Sequence, residues 1–217
     1  TRSLQTVAIL GKPSIAVISG RGGAGKTTLI NQIKKPLEDI NGRFIQVKFD
    51  LNTQPDTILF SAMDSFIDGI SDDEEGMEIK HRIKESLGSE ISVVAHSIPS
   101  VAKMIDNEIS SKSVLRAEAS MIHQQEQMIC ALCKLIGSIA TRKNPIVLFL
   151  DDLHWADKSL DVVQRIFVSP DIRHCFFLAC YRDNDFTMTK SVETMLDGIQ
   201  SQEDMAIIKV PLGGLEI

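Results

Sequence analysis

Uninterrupted apolar runs alternate along the chain with segments whose apolar residues fall three and four apart. The runs are SIAVIS at 14–19, RFIQVKF at 43–49, PIVLFL at 145–150, CFFLAC at 175–180 and AIIKV at 206–210. Short runs without strict alternation predict β-strands covered on both faces, and helices interleaved between them predict a parallel sheet. The interval from about 51 to 144 offers no convincing strand. Within it Leu115, Ile122, Ile129 and Ile136 recur at heptad spacing, with Leu132 and Ile139 on neighbouring turns, so this interval reads as a mostly helical insertion. The expected architecture is an α/β sandwich, one domain over 1–217 interrupted at 51–144.

Three of the apolar runs lead into residues that carry chemistry. The first leads into GRGGAGKT at 20–27, a gapless G-x-x-x-x-G-K-[ST], and then into the helical pattern KTTLINQI. Strand, glycine loop and helix in that order form a phosphate cradle: backbone N–H groups close round the anion where Cβ atoms would obstruct, and the helix dipole adds to them. In this reading Gly20, Arg21, Gly22, Gly23, Ala24, Gly25, Lys26, Thr27 and Thr28 hold the nucleotide. Lys26 reaches the β- and γ-phosphates, the Thr27 hydroxyl takes Mg²⁺, and Thr28 lies near the α-phosphate.

A phosphate loop alone says only that a nucleotide binds. The run at 145–150 ends in DD, which puts two carboxylates at the carboxyl edge of the sheet, where open α/β sheets bind ligands. Asp151 is assigned to the metal shell and Asp152 to polarising water. The next strand ends CFFLACYRDND, setting Arg182 just past the edge, either to meet the γ-phosphate or to pair with Asp183 or Asp185. Lys26, Asp152 and Arg182 are thus the candidate catalytic residues, and Thr27 and Asp151 the candidate metal ligands. His154 and Trp155 are read as loop packing and stay outside that set.

Composition narrows the partners. A formal net charge of -6 argues against a broad phosphate-binding surface, so nucleic acid is not expected, although a local anion site remains compatible. The longest apolar runs fall far short of the roughly 20 residues a membrane span takes, and TRSLQTVAIL lacks a signal-peptide core, so no membrane partner and a cytoplasmic location are expected. A first residue Thr1 suggests a piece of a longer polypeptide. SDDEEG at 71–76 reads as a solvated loop between helices. Cys130, Cys133, Cys175 and Cys180 lie in helical or apolar patterns and read as core thiols, not as a zinc site.

The segments GRGGAGKTTLINQIKKPLEDINGRFIQVKFD and NPIVLFLDDLHWADKSLDVVQRI, with the later YRDND and VPLGGL, resemble the AAA-type P-loop ATPase module of the signal-transduction ATPases with numerous domains. That module occurs in multidomain histidine and serine/threonine kinases. The resemblance implies a three-layer P-loop NTPase sandwich whose five-stranded parallel sheet has order 5-1-4-3-2, with the CFFLAC strand between the phosphate-loop strand and the acidic strand. It also implies ATP and Mg²⁺ as cofactors, covalently attached signalling or effector domains, a possible homo-oligomer, and a nucleotide-dependent switch role. The helical lid and the arginine finger expected of such modules are not found in the sequence. A non-hydrolysing ATP-binding scaffold is the alternative. A GTPase lacks its N-K-x-D signature here, and kinship with replication-initiator ATPases is fold-level analogy only.

Overall fold

The five apolar runs become five strands: β1 Ser14–Gly20, β2 Arg43–Lys48, β3 Ile146–Asp151, β4 Cys175–Tyr181 and β5 Ala206–Leu212. The computed structural model describes residues 2–105, 121–183, 186–202 and 205–213. All the strand pairs are parallel, in the order β2-β3-β4-β1-β5, which is the 5-1-4-3-2 arrangement expected. The helices are α1 Arg2–Leu10, α2 Lys26–Asn31, α3 Lys34–Glu38, α4 Pro55–Asp68, α5 Glu74–Leu87, α6 Ile91–Ser97, α7 Pro99–Ala102, α8 Met121–Ile139, α9 Leu160–Phe167 and α10 Phe186–Gln202.

Alternation along the strands sorts side chains into two cores, one on each face of the sheet. Ile146, Leu148 and Leu150 of β3 join Cys175, Phe177 and Ala179 of β4 in the larger core, under α4 to α6 and α8 to α10. Val147 and Phe149 point the other way, with Phe176, Leu178 and Cys180, against Leu4 and Val7 of α1, Ile30 of α2 and Leu37 of α3. This is the three-layer sandwich.

The expectation of strands covered on both faces holds for β1, β3 and β4, which are buried almost throughout. It fails for β2 and β5. Each is an edge strand with a neighbour on one side only; β5 leaves Ile208 exposed.

The helical pattern after the glycine loop splits in two. Gln32 and Ile33 donate to the carbonyls three residues back, Leu29 and Ile30, and Pro36 then brings no N–H to the next turn. α2 is therefore only six residues long.

Between β2 and β3 the described residues form helices and turns. On α8 the residues Ile129, Leu132, Ile136 and Ile139 are all buried. Leu115 lies outside the described residues. Gly137 lets α8 come close to the chain before β4, since a Cβ there would overlap the Asp171 carbonyl. Cys130 departs from the expectation of four core thiols: it is exposed, on the solvent side of α8, while Cys133, Cys175 and Cys180 are buried. No helix among the described residues is long and apolar enough to cross a membrane.

The acidic stretch at 71–76 is more than a solvated loop. Asp73 caps α5 by accepting from the Gly76 N–H at 2.8 Å. Glu75 Oε1 accepts from Arg43 Nη2 at 2.9 Å and from Asn144 Nδ2 at 2.8 Å, tying α5 to β2 and to the loop before β3. The Arg43 guanidinium, with help from Asn144, holds the Glu75 carboxyl below the ordinary glutamate range. Such a carboxyl contributes full stability above the unfolded-state value and loses it as pH falls through the lowered folded value. Glu75→Ala is expected to lower stability by about 1 kcal/mol at neutral pH, the upper end for a partly exposed pair. The gap in melting temperature between wild type and variant should close in acid; a gap that persists when carboxylates are protonated would count against this role.

Candidate functional site

Gly20 ends β1 where the chain must pass close to β5, because a Cβ at Gly20 would lie 2.7 Å from the Leu212 carbonyl oxygen. The loop then turns on Gly23 and Gly25, at φ 81° and 83°, the left-handed region that side chains rarely adopt. Ala24 N–H closes the turn onto the Arg21 carbonyl at 3.2 Å. Gly25 immediately precedes α2, whose first residues are Lys26, Thr27 and Thr28. Lys26 is buried and its ammonium donates to the carbonyls of Gly20 at 2.6 Å and Arg21 at 2.9 Å. An ammonium has three N–H groups, so one is left for an anion in the loop. Thr27 and Thr28 are exposed beside it.

The acidic pair lies at the same edge and is shared between two environments. Asp151 closes β3, opposite Lys48 of β2, and is buried. Its Oδ1 accepts from Cys180 Sγ at 2.9 Å, and Gln46 Nε2 approaches Oδ2 at 3.5 Å. Burial, and then the Asp151 carboxylate, push the Cys180 thiol up to about 12. Sγ therefore keeps its hydrogen at neutral pH and is the donor. Asp152 follows in the left-handed region at φ 53°, ψ 42°, a conformation that Asp and Asn tolerate better than most residues. The turn directs the chain out of the sheet, and the Trp155 N–H bonds to the Asp152 carbonyl at 2.9 Å.

Arg182 follows β4 directly. Its Nε stands 3.7 Å from Asp152 Oδ1. The sequence offered Asp183 or Asp185 as its partner; the fold brings Asp152 instead, and Asp185 lies outside the described residues. His154 is buried, with its ring centroid 4.6 Å from that of Trp155, which packs on the larger core.

Topology joins these pieces. β4 separates β3 from β1, and in a parallel sheet all carboxyl ends share one edge. Asp151 follows Phe149 and Val147 by two and four residues, so it belongs to their sheet face, which holds Cys180, Ile18 and Ile30 of α2. The helix that starts with Lys26 and Thr27 therefore covers the face on which Asp151 and Cys180 meet. Sequence reading missed Cys180 and Gln46 as neighbours of Asp151. The signal available for Cys180 was alignment of the strand ends, since pairing Leu150 with Ala179 sets Asp151 level with the next residue of β4.

The donor set fits ATP and Mg²⁺. Cβ atoms placed on Gly22, Gly23 or Gly25 would meet nothing within 4 Å, so the loop borders open space. The Lys26 ammonium suits phosphate oxygens, and a hydroxyl with a carboxylate are the hard oxygen ligands that Mg²⁺ takes.

Comparison with known proteins bears on the family of the chain. The AAA ATPase domain family matches residues 2–178. The Dictyostelium discoideum hybrid signal transduction histidine kinase G is 32% identical over 152 residues, 69% of this chain and 4% of that protein. The chain thus spans a small fraction of that relative's length. The Aeropyrum pernix ORC1 protein, solved in complex with DNA, aligns over 97% of this chain and 42% of its own at 13% identity and a TM-score of 0.44. The expectation that nucleic acid is excluded as a partner is corrected against this complex with DNA. That expectation rested on net charge, a sum over the whole domain, whereas contact with phosphates is decided by local charge. A similarity this distant makes no case for DNA binding by this chain either.

Proposed function

The chain belongs to the AAA ATPase domain family, and from that premise we propose that it binds Mg-ATP at residues 20–28 and hydrolyses it, its nucleotide state acting as a switch within a larger signalling protein. One observation carries the reading: the helix bearing Lys26 and Thr27 covers the same sheet face, at the same edge, as the buried Asp151 carboxylate. Lys26 then exchanges its bonds to the loop carbonyls for bonds to the β- and γ-phosphates. Thr27 and Asp151 would hold Mg²⁺. When bound, the metal neutralises charge that develops on the transferring phosphoryl group.

Asp152 is the group that orients and polarises the attacking water, and Arg182 stabilises charge near the γ-phosphate. The two stand 3.7 Å apart, so a phosphate that draws Arg182 away also frees the Asp152 carboxylate. The switch role is supported by the similarity to a signalling histidine kinase; the reading frame on either side of this segment would reveal the element it controls. The biochemical core of the proposal is tested by calorimetric titration of the protein with Mg-ATP, repeated with GTP as competitor. Saturable binding of ATP that GTP displaces poorly is expected. Absence of Mg-ATP binding, or equal binding of GTP, would remove the ATPase reading.

A further inference from the structure

Resting on the reading above, we propose that Cys180 is a positioning residue for Mg²⁺: its thiol fixes the rotation of the Asp151 carboxylate so that the remaining lone pairs meet the metal shell.

The geometry is specific. Cys180 is 1% exposed and lies on β4, between the strand carrying Asp151 and the strand that feeds the glycine loop. Its Sγ donates to Oδ1 at 2.9 Å, while Gln46 reaches Oδ2 only at 3.5 Å and from an exposed position. A carboxylate only accepts, with about four lone-pair sites, so a single donor pins its plane and leaves most sites open to a cation. Partners of this kind, one bond removed from the metal, set ligand orientation, and losing one typically costs 10- to 100-fold in metal affinity. Cys180 also belongs to the buried apolar cluster that includes Ile30, Leu178 and its β1 register partner Ile18, so its position is held by that core as well as by the hydrogen bond.

The test is the ratio of ATP affinity with Mg²⁺ to ATP affinity with EDTA, measured by calorimetry. In Cys180→Ala the ratio should fall by about tenfold or more, with the EDTA affinity nearly unchanged. Cys180→Ser keeps a donor on the same carbon and should recover most of the ratio. A wild-type ratio in Cys180→Ala, or a loss in Cys180→Ser as large as in Cys180→Ala, would overturn the proposal. Wild-type protein that binds no Mg-ATP would instead overturn the parent reading. Should Cys180→Ala fail to fold, the infrared S–H stretching band supplies the decision. Removing the acceptor in Asp151→Ala should move one thiol band to higher frequency, and a spectrum in which no thiol band moves refutes the contact.

Discussion

Lys26→Ala is expected to weaken Mg-ATP binding by about a hundredfold and to abolish turnover. The ammonium would make charge-assisted bonds to phosphate, each worth about 1.5–3 kcal/mol, and two of them at the lower figure amount to about 3 kcal/mol. That is close to two factors of ten in affinity. The fold should survive the change. Alanine is the best helix former, Lys26 sits at the first position of α2, and the turns at Gly23 and Gly25 do not depend on its side chain. Of the two carbonyls it now bonds, that of Arg21 belongs to an exposed residue, where water can replace the ammonium. Circular dichroism and thermal melting of the nucleotide-free variant check this. Wild-type affinity in a well-folded Lys26→Ala protein would show that the loop is not a phosphate cradle.

Asp152→Asn should separate binding from chemistry. Turnover is expected to fall about a thousandfold, within the 10²–10⁴ range for losing a group that handles a proton or orients the attacking water. Affinity for Mg-ATP should stay within about threefold, because the proposed function gives the phosphates and the metal to other residues. Asparagine is the informative replacement: Asp152 occupies the left-handed region, which Asn also tolerates, so only the charge is removed. Alanine would add backbone strain and blur the result. Normal turnover in Asp152→Asn would take Asp152 out of the mechanism. Tight binding with negligible turnover in both wild type and variant would favour a non-hydrolysing scaffold, in which ATP holds a conformation for a partner.

Much of the candidate site was legible in the sequence because its key spacings are local. The loop from Gly20 to Thr28 is one contiguous segment, and Asp151 and Asp152 announce themselves by following a buried apolar run. The neighbours of Asp151 were not legible. Cys180 and Gln46 reach it across 29 and 105 residues of chain, and no periodicity within either strand points to the other. Arg182 shows the same limit. Its local sequence offered Asp183 and Asp185, but the turn after β3 brings Asp152 to it instead. The charged stretch at 71–76 was underestimated for a related reason. A run of acids looks like a solvated face until β2 and the 144 loop arrive to pair with Glu75.

The chain read alone placed the five strands, the glycine loop and carboxylate pair at their ends, and the helices among the described residues between β2 and β3. These follow from propensity, apolar period and glycine freedom, all of which act over a few residues. Their lateral order came from resemblance to a family, since nothing within a strand names its neighbour. Only the folded arrangement shows that Cys180 bonds to Asp151 and that Arg182 faces Asp152. One cause underlies both. Register and lateral order are set by burying both faces of one sheet at once, and that constraint joins residues far apart in the chain.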